Sequence, residues 1–132
     1  MTTVYAREEH LSADEYIDVV AKSGLNRPIE DRARVERMLA SANLFVTARQ
    51  DGRLVGFARS LTDFCFCCYL SDLAVDRDWQ GRGIGRELIR RTHEIAGPQS
   101  MLLLTSAPDA LSYYPHIGMN KSENAFIIPR QS

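Results

Sequence analysis

Apolar residues recur first at helical spacing and then at strand spacing. Ser12-Ala13-Asp14-Glu15 sets a serine three residues before a glutamate, and Ile17, Val20 and Ala21 follow on one face before Gly24. That is a capped helix start, an amphipathic stripe and a glycine stop. Asn26-Arg27-Pro28 reads as a loop, and a second helix is predicted from about Asp31, where Val35, Met38, Leu39 and Ala42 follow the i, i+3, i+4, i+7 pattern. The texture then becomes β-like. Leu44–Ala48 and Leu54–Arg59 flank Asp51-Gly52, a hairpin signal that predicts antiparallel pairing. Thr3–Ala6 predicts a short strand and Phe64–Val75 a long one. Ile84–Ala96 is a helix stopped by Gly97-Pro98, and Met101–Leu104 is a wholly apolar strand of the kind expected with both faces covered. Pro108 opens a short helix through Tyr113 or Tyr114, and Ala125–Ile128 is a last strand. The order β, α, α, β, β, β, α, β, α, β predicts an α/β fold around a sheet of mixed direction.

Length and composition narrow the classes. The chain has 132 residues, 45% hydrophobic and 25% charged. This is the composition of an ordinary globular protein and predicts a single domain over residues 1–132. No apolar run approaches the ~20 residues that span a bilayer, and Glu8, Glu9 and Asp14 stand where a secretory leader would be apolar. A cytoplasmic protein with no membrane partner is expected. The net charge of -1 counts against a nucleic-acid partner, which favours strongly basic domains. Cys65, Cys67 and Cys68 are an odd number, closely spaced, without the two C-x-x-C pairs or the nearby His of a zinc site, so neither a disulfide framework nor a metal site is expected. Alternation in an extended strand would put Cys65 and Cys67 on one face and Cys68 on the other, as buried, reduced thiols. All but two of the 16 basic residues are arginine, the exceptions being Lys22 and Lys121. Arginine matches phosphate geometry, so position decides whether any of this excess binds a phosphate-bearing ligand.

The segment richest in chemistry is Leu73-Ala74-Val75 running, after a short loop, into Gln80-Gly81-Arg82-Gly83-Ile84-Gly85-Arg86 and directly into a helix. Glycines allow close backbone approach, and the unsatisfied N–H groups at a helix start attract anions. A Walker loop would need Gly-Lys-Ser/Thr, and the dinucleotide fingerprint a small residue where Arg86 stands. The spacing present is Q-x-x-G-x-G. It resembles the acetyl-CoA pyrophosphate loop of the GNAT N-acetyltransferase superfamily. Farther on, Ala110-Leu111-Ser112-Tyr113-Tyr114-Pro115-His116-Ile117-Gly118-Met119 resembles that family's closing motif, with Met119 in the place of a Phe. Ala107 stands where the family often carries an Asn.

The resemblance implies a GNAT acyl-CoA N-acyltransferase fold: a central, mostly antiparallel sheet flanked by helices, with two parallel strands, Leu70–Val75 and Met101–Leu104, splayed apart. It implies acetyl-CoA as co-substrate, with the pantetheine against the backbone of Leu73, Ala74 and Val75 and the pyrophosphate on Gln80, Gly81, Arg82, Gly83, Ile84, Gly85 and Arg86. It implies Tyr114 as the acid that protonates the leaving thiolate. Asp72 lies on the opposite strand face from Leu73 and Val75, which points it toward the cleft as a candidate general base. The implied activity is acetyl transfer to a primary amine of a small molecule through a ternary complex. Acetylation of a protein or peptide amine and a non-catalytic CoA-binding module stay open, as does a homodimer.

Overall fold

The computed structural model describes residues 2–132. Five strands form one sheet in the order β1-β2-β3-β4-β5: β1 Val4–Glu8, β2 Leu44–Gln50, β3 Arg53–Thr62, β4 Cys67–Val75 and β5 Met101–Leu103. The first four pair antiparallel and β4 pairs parallel with β5. The helices are α1 Ala13–Ser23, α2 Arg32–Ser41, α3 Ile84–Ala96 and the short α4 Tyr113–His116.

Local chemistry explains most of the boundaries. The Ser12 side chain accepts from the Glu15 amide and caps α1, and Asp31 caps α2 by accepting from the Arg34 amide at 3.1 Å. Asp51 and Gly52 both have positive φ, 51° and 81°, as the two-residue hairpin turn between β2 and β3 requires. Residues of opposite strand faces feed two cores. Phe45, Leu54, Phe57 and Ala74 pack against Tyr16, Val19, Val20, Val35 and Leu39 of α1 and α2. Leu44, Val46, Ala48, Val55, Ala58 and Leu70 pack against Ile84, Leu88 and Ile89 of α3. Burying such side chains contributes roughly 1.5–3 kcal/mol each, which holds the helices on both sides of the sheet.

Four expectations are corrected. The long strand begins at Cys67 rather than Phe64, because an Asp63 Oδ1 accepts the amides of Cys65, Phe66 and Cys67 and turns the chain. Consequently Cys65 lies in the turn, and Cys65 and Cys67 are exposed; only Cys68 is buried. β5 is covered on one face only: Leu102 and Leu104 pack on the α3 core, while Met101 is 65% exposed. No strand forms at Ala125–Ile128, where Phe126 and Ile128 are almost fully exposed. A strand needs a neighbour to satisfy its backbone, and this segment has none.

Candidate functional site

The β4–β5 pairing is short. Cys67, Cys68 and Tyr69 face Met101, Leu102 and Leu103, and there the ladder ends. From Leu70 to Val75, β4 keeps β3 on one edge and has no strand on the other. The backbone groups that alternate toward that open edge, among them those of the Leu73–Val75 segment, are free for an extended ligand to pair with. Register with β3 also slips between Arg59 and Ser60, so that Ser71 bulges and the strand bends where it leaves its neighbour.

Beyond β4 the Asp76 side chain caps a 3-10 turn, Arg77–Trp79, and the glycine loop follows. Gly81 and Gly83 hold φ of 77° and 82°, a left-handed conformation that other residues rarely adopt. A Cβ added at either position would meet nothing within 4 Å, so their conformation rather than crowding demands glycine. Gly83 is the N-cap of α3 and no side-chain hydrogen bond caps this helix, whereas Ser12 and Asp31 cap α1 and α2. The α3 start therefore keeps amide donors and the positive end of its dipole for an anion. The residues fit a pyrophosphate on this count.

The other loop residues divide. Gln80 is turned inward: its Nε2 donates to the Val75 carbonyl at 2.9 Å and the Ser23 carbonyl at 3.2 Å, bracing the loop. Arg82 lies 4.7 Å above the Trp79 ring and donates to the Asp78 carbonyl, and Arg86 is exposed on the first turn of α3. Neither has a carboxylate partner among the described residues. Ile84 is buried in the α3 core and fixes the helix start to the sheet.

α4 brings two tyrosines to this region. Tyr114 is half-buried against the α3 core, edge-on to Tyr113 with ring centroids 5.2 Å apart. Burial, and secondarily the neighbouring Tyr113, push its hydroxyl pKa up, so it stays protonated at neutral pH. Tyr113 was not singled out from the sequence. Its hydroxyl lies 2.9 Å from where a Gly85 Cβ would stand, beside the Arg86 amide, so it covers part of the α3 start. The motif's aromatic position was legible; its extra hydroxyl, the only signal of this contact, was not read. Ser106, in the loop before α4, donates to the Ala107 carbonyl.

Asp72 is placed otherwise than expected. It does lie on the face opposite Leu73, but it is fully buried under α1 rather than open to a cleft. Its Oδ2 accepts from the Tyr16 hydroxyl at 2.8 Å and from Arg59 Nε at 2.5 Å, and its Oδ1 accepts from Arg27 Nε at 2.6 Å. Burial alone would raise its pKa, but the two guanidiniums hold it below the ordinary carboxylate range. A base needs access to its substrate and an affinity for the proton, and this carboxylate has neither. Arg27 and Arg59, which sequence reasoning missed, also grip β4 itself: Arg27 Nη2 donates to the Ser71 carbonyl at 2.7 Å and Arg59 Nη2 to Ser71 Oγ at 3.0 Å. No local pattern connects positions 27, 59 and 72, so nothing in the sequence announced the cluster.

A mixed sheet whose parallel pair parts above a glycine-led, uncapped helix is the architecture of the GNAT acetyltransferases. The chain belongs to that family: the model for the acetyltransferase (GNAT) domain matches residues 12–127. GCN5-related N-acetyltransferase 1, chloroplastic, of Arabidopsis thaliana is 31% identical over 114 residues, 83% of this chain and 57% of that protein. An uncharacterized N-acetyltransferase, ycf52, of Gracilaria tenuistipitata is 25% identical over 97 residues, 71% of this chain and 53% of that one. The chain thus spans little more than half the length of these relatives. The crystal structure of a putative acetyltransferase from Deinococcus radiodurans superposes with a TM-score of 0.76 at 26% identity, covering 97% of this chain and 88% of that one. No helix among the described residues is long and apolar enough to cross a membrane, and no group of three or more His, Cys, Asp or Glu among them is arranged to hold a metal.

Proposed function

We propose that residues 1–132 form one domain that transfers the acetyl group of acetyl-CoA to the primary amine of a small molecule by direct attack in a ternary complex. The observation that carries this reading is the conjunction at β4 and α3: an open strand edge from Leu70 to Val75 leads to a helix start that no side chain caps. An extended pantetheine pairs with the first, and a pyrophosphate meets the amides of Gly81, Arg82, Gly83, Ile84 and Gly85 at the second. Arg82 and Arg86, without carboxylate partners among the described residues, add charge beside the phosphates.

The chemistry is attack of a neutral amine on a thioester carbonyl. An alkyl amine titrates near ~10, so the attacking group must first lose a proton. A backbone N–H near Ala74 on the open edge donates to the carbonyl oxygen as it gains charge. The departing thiolate takes its proton from Tyr114, whose raised pKa keeps the hydroxyl loaded, and the proton shed by the acylated nitrogen returns to the phenolate through solvent. Asp72 works at one remove in this scheme. It anchors Arg27 and Arg59, and they in turn fix the Ser71 bulge at which β4 bends away from β5.

The test is release of free CoA thiol from acetyl-CoA across a panel of small amines, with the mass of each product confirming one added acetyl group. Amine-dependent release supports the reading. Stoichiometric acetyl-CoA binding with no release above the uncatalysed rate for any amine would contradict it and leave a CoA-binding module.

A further inference from the structure

The arginines fall into paired and unpaired sets. Arg27, Arg32, Arg49, Arg53, Arg59, Arg90 and Arg91 each have a carboxylate within 4.0 Å. Arg34 and Arg37, three residues apart on α2, have no side-chain carboxylate partner among the described residues, although Arg34 Nη2 donates to a Ser132 main-chain oxygen. Both line a cavity of about 620 Å³ with Asp31, Met38, Ser41 and Arg59. Arg59 is buried and forms its inner wall, with Nη1 on the Met38 carbonyl at 3.2 Å, Nη2 on Ser71 Oγ and Nε on Asp72. The wall of this cavity is therefore one side chain away from the β4 bulge at Ser71.

Charge in the cavity is one-sided. Among the described residues Asp31 is the one side-chain carboxylate lining it and is committed to capping α2, against three lining guanidiniums. Asp72 offsets only one of the two guanidiniums that grip it, Arg27 and Arg59. A plain ammonium is repelled by such a surround, while an amine that carries an anion at its far end is drawn in with that anion toward α2. Arg34 Nη2 donates to the Ser132 main-chain oxygen at 3.2 Å, which engages one of its donors and leaves the rest of the fork open.

Resting on the acetyltransferase reading, we propose that this α2 cavity is the acceptor subsite for an anionic group, and that the acceptor is a small amine bearing a carboxylate or phosphate. Arg37 and Arg34 supply the fork-shaped donors that such an anion accepts from, and Arg59 ties their cavity to the β4 bulge.

Two matched pairs test this at constant ionic strength: glycylglycine against glycylglycinamide, and O-phosphoethanolamine against ethanolamine. Each is assayed for kcat/KM in thiol release and, separately, for the rise in melting temperature it causes in the presence of acetyl-CoA. At least one anionic member should exceed its neutral counterpart about tenfold or more in kcat/KM, and which pair does so tells carboxylate from phosphate. Arg37→Gln should shrink that ratio, Arg37→Glu should abolish or invert it, and Arg37→Lys should keep part of it. Arg90→Gln, which removes the same charge from exposed α3, should leave the ratio unchanged. Equal kcat/KM within both pairs, or a ratio that survives Arg37→Glu, overturns the subsite. So does absence of both turnover and stabilisation by the anionic members. If acetyl-CoA alone still raises the melting temperature, the cofactor reading stands while the subsite falls; if it does not, that reading falls as well.

Discussion

The glycine loop and the Asp72 cluster lie at opposite ends of the same stretch of β4, and they treat charge in opposite ways. Around Asp72 a carboxylate, two guanidiniums and a tyrosine hydroxyl are closed on one another under α1, with distances of 2.5 to 2.8 Å. At the start of α3 no side-chain hydrogen bond caps the helix, Gly81 and Gly83 face open space, and Arg82 and Arg86 have no carboxylate partner among the described residues. The contrast separates two uses of polar residues. A saturated buried network holds shape, and removing one member strands the rest without solvent. An unsaturated exposed one costs little to the fold and is available to a ligand. Arginines serve both, so charge count alone does not say which are functional; the partners do.

Breaking the closed cluster should give the largest effect. Asp72→Asn keeps the shape but leaves Arg59 buried without its anion, and should cost about 3–5 kcal/mol of stability, read by urea unfolding. A loss below ~1 kcal/mol would mean the cluster is not closed as described. The pH dependence sharpens the same point. The folded pKa of Asp72 lies below its unfolded value near ~3.9, so its stabilisation is present above that value and is lost as pH falls through the folded pKa. The gap between wild type and Asp72→Asn should therefore narrow under acid, and a constant gap would argue against an ionised Asp72.

At the open end, loss of the Tyr114 hydroxyl should leave binding and stability nearly alone and cut turnover. Tyr114→Phe should lower kcat about 100-fold or more, the scale of a lost general acid, with acetyl-CoA affinity within about twofold of wild type. Unchanged kcat would remove Tyr114 from the chemistry and direct attention to Tyr113, whose hydroxyl lies at the α3 start. Gly83→Val should give the smallest loss that still tells the regions apart, about tenfold in acetyl-CoA affinity, or ~1.4 kcal/mol. Its folding cost is that of a side chain at φ 82°, about 1–2 kcal/mol, since no neighbour crowds the new Cβ. Wild-type affinity in this variant would show that the loop backbone is not what holds the cofactor.

The legibility of these two regions from sequence differs for a physical reason. The loop is a local feature: Gly81, Gly83 and the following helix are neighbours in the chain, and the need for positive φ is written in the residue type. Helix α3 accordingly begins and ends where its pattern says, at Ile84 and Ala96. The face of Asp72 was also readable from strand alternation. Its burial was not, because that depends on Tyr16, Arg27 and Arg59, up to 56 residues away. The same limit accounts for the tail. Ala125–Ile128 has the composition of a strand, but a strand is a pairing, and β5 pairs over only three residues with nothing on its far edge. The α2 cavity was opaque for both reasons, since Arg34 and Arg37 read as a solvated helix face until Arg59 is placed beneath them.

The central claim is that phosphates on the α3 start and a pantetheine on the β4 edge act together, and calorimetric titration with two ligands tests it most directly. Acetyl-CoA presents both parts; S-acetylpantetheine presents the thioester and the strand-like arm without the pyrophosphate. The account predicts that acetyl-CoA binds one per chain and at least about tenfold more tightly than S-acetylpantetheine, as charge-assisted bonds to the loop amides require. Equal affinity for the two, or no binding of acetyl-CoA at 1 mM, would contradict it.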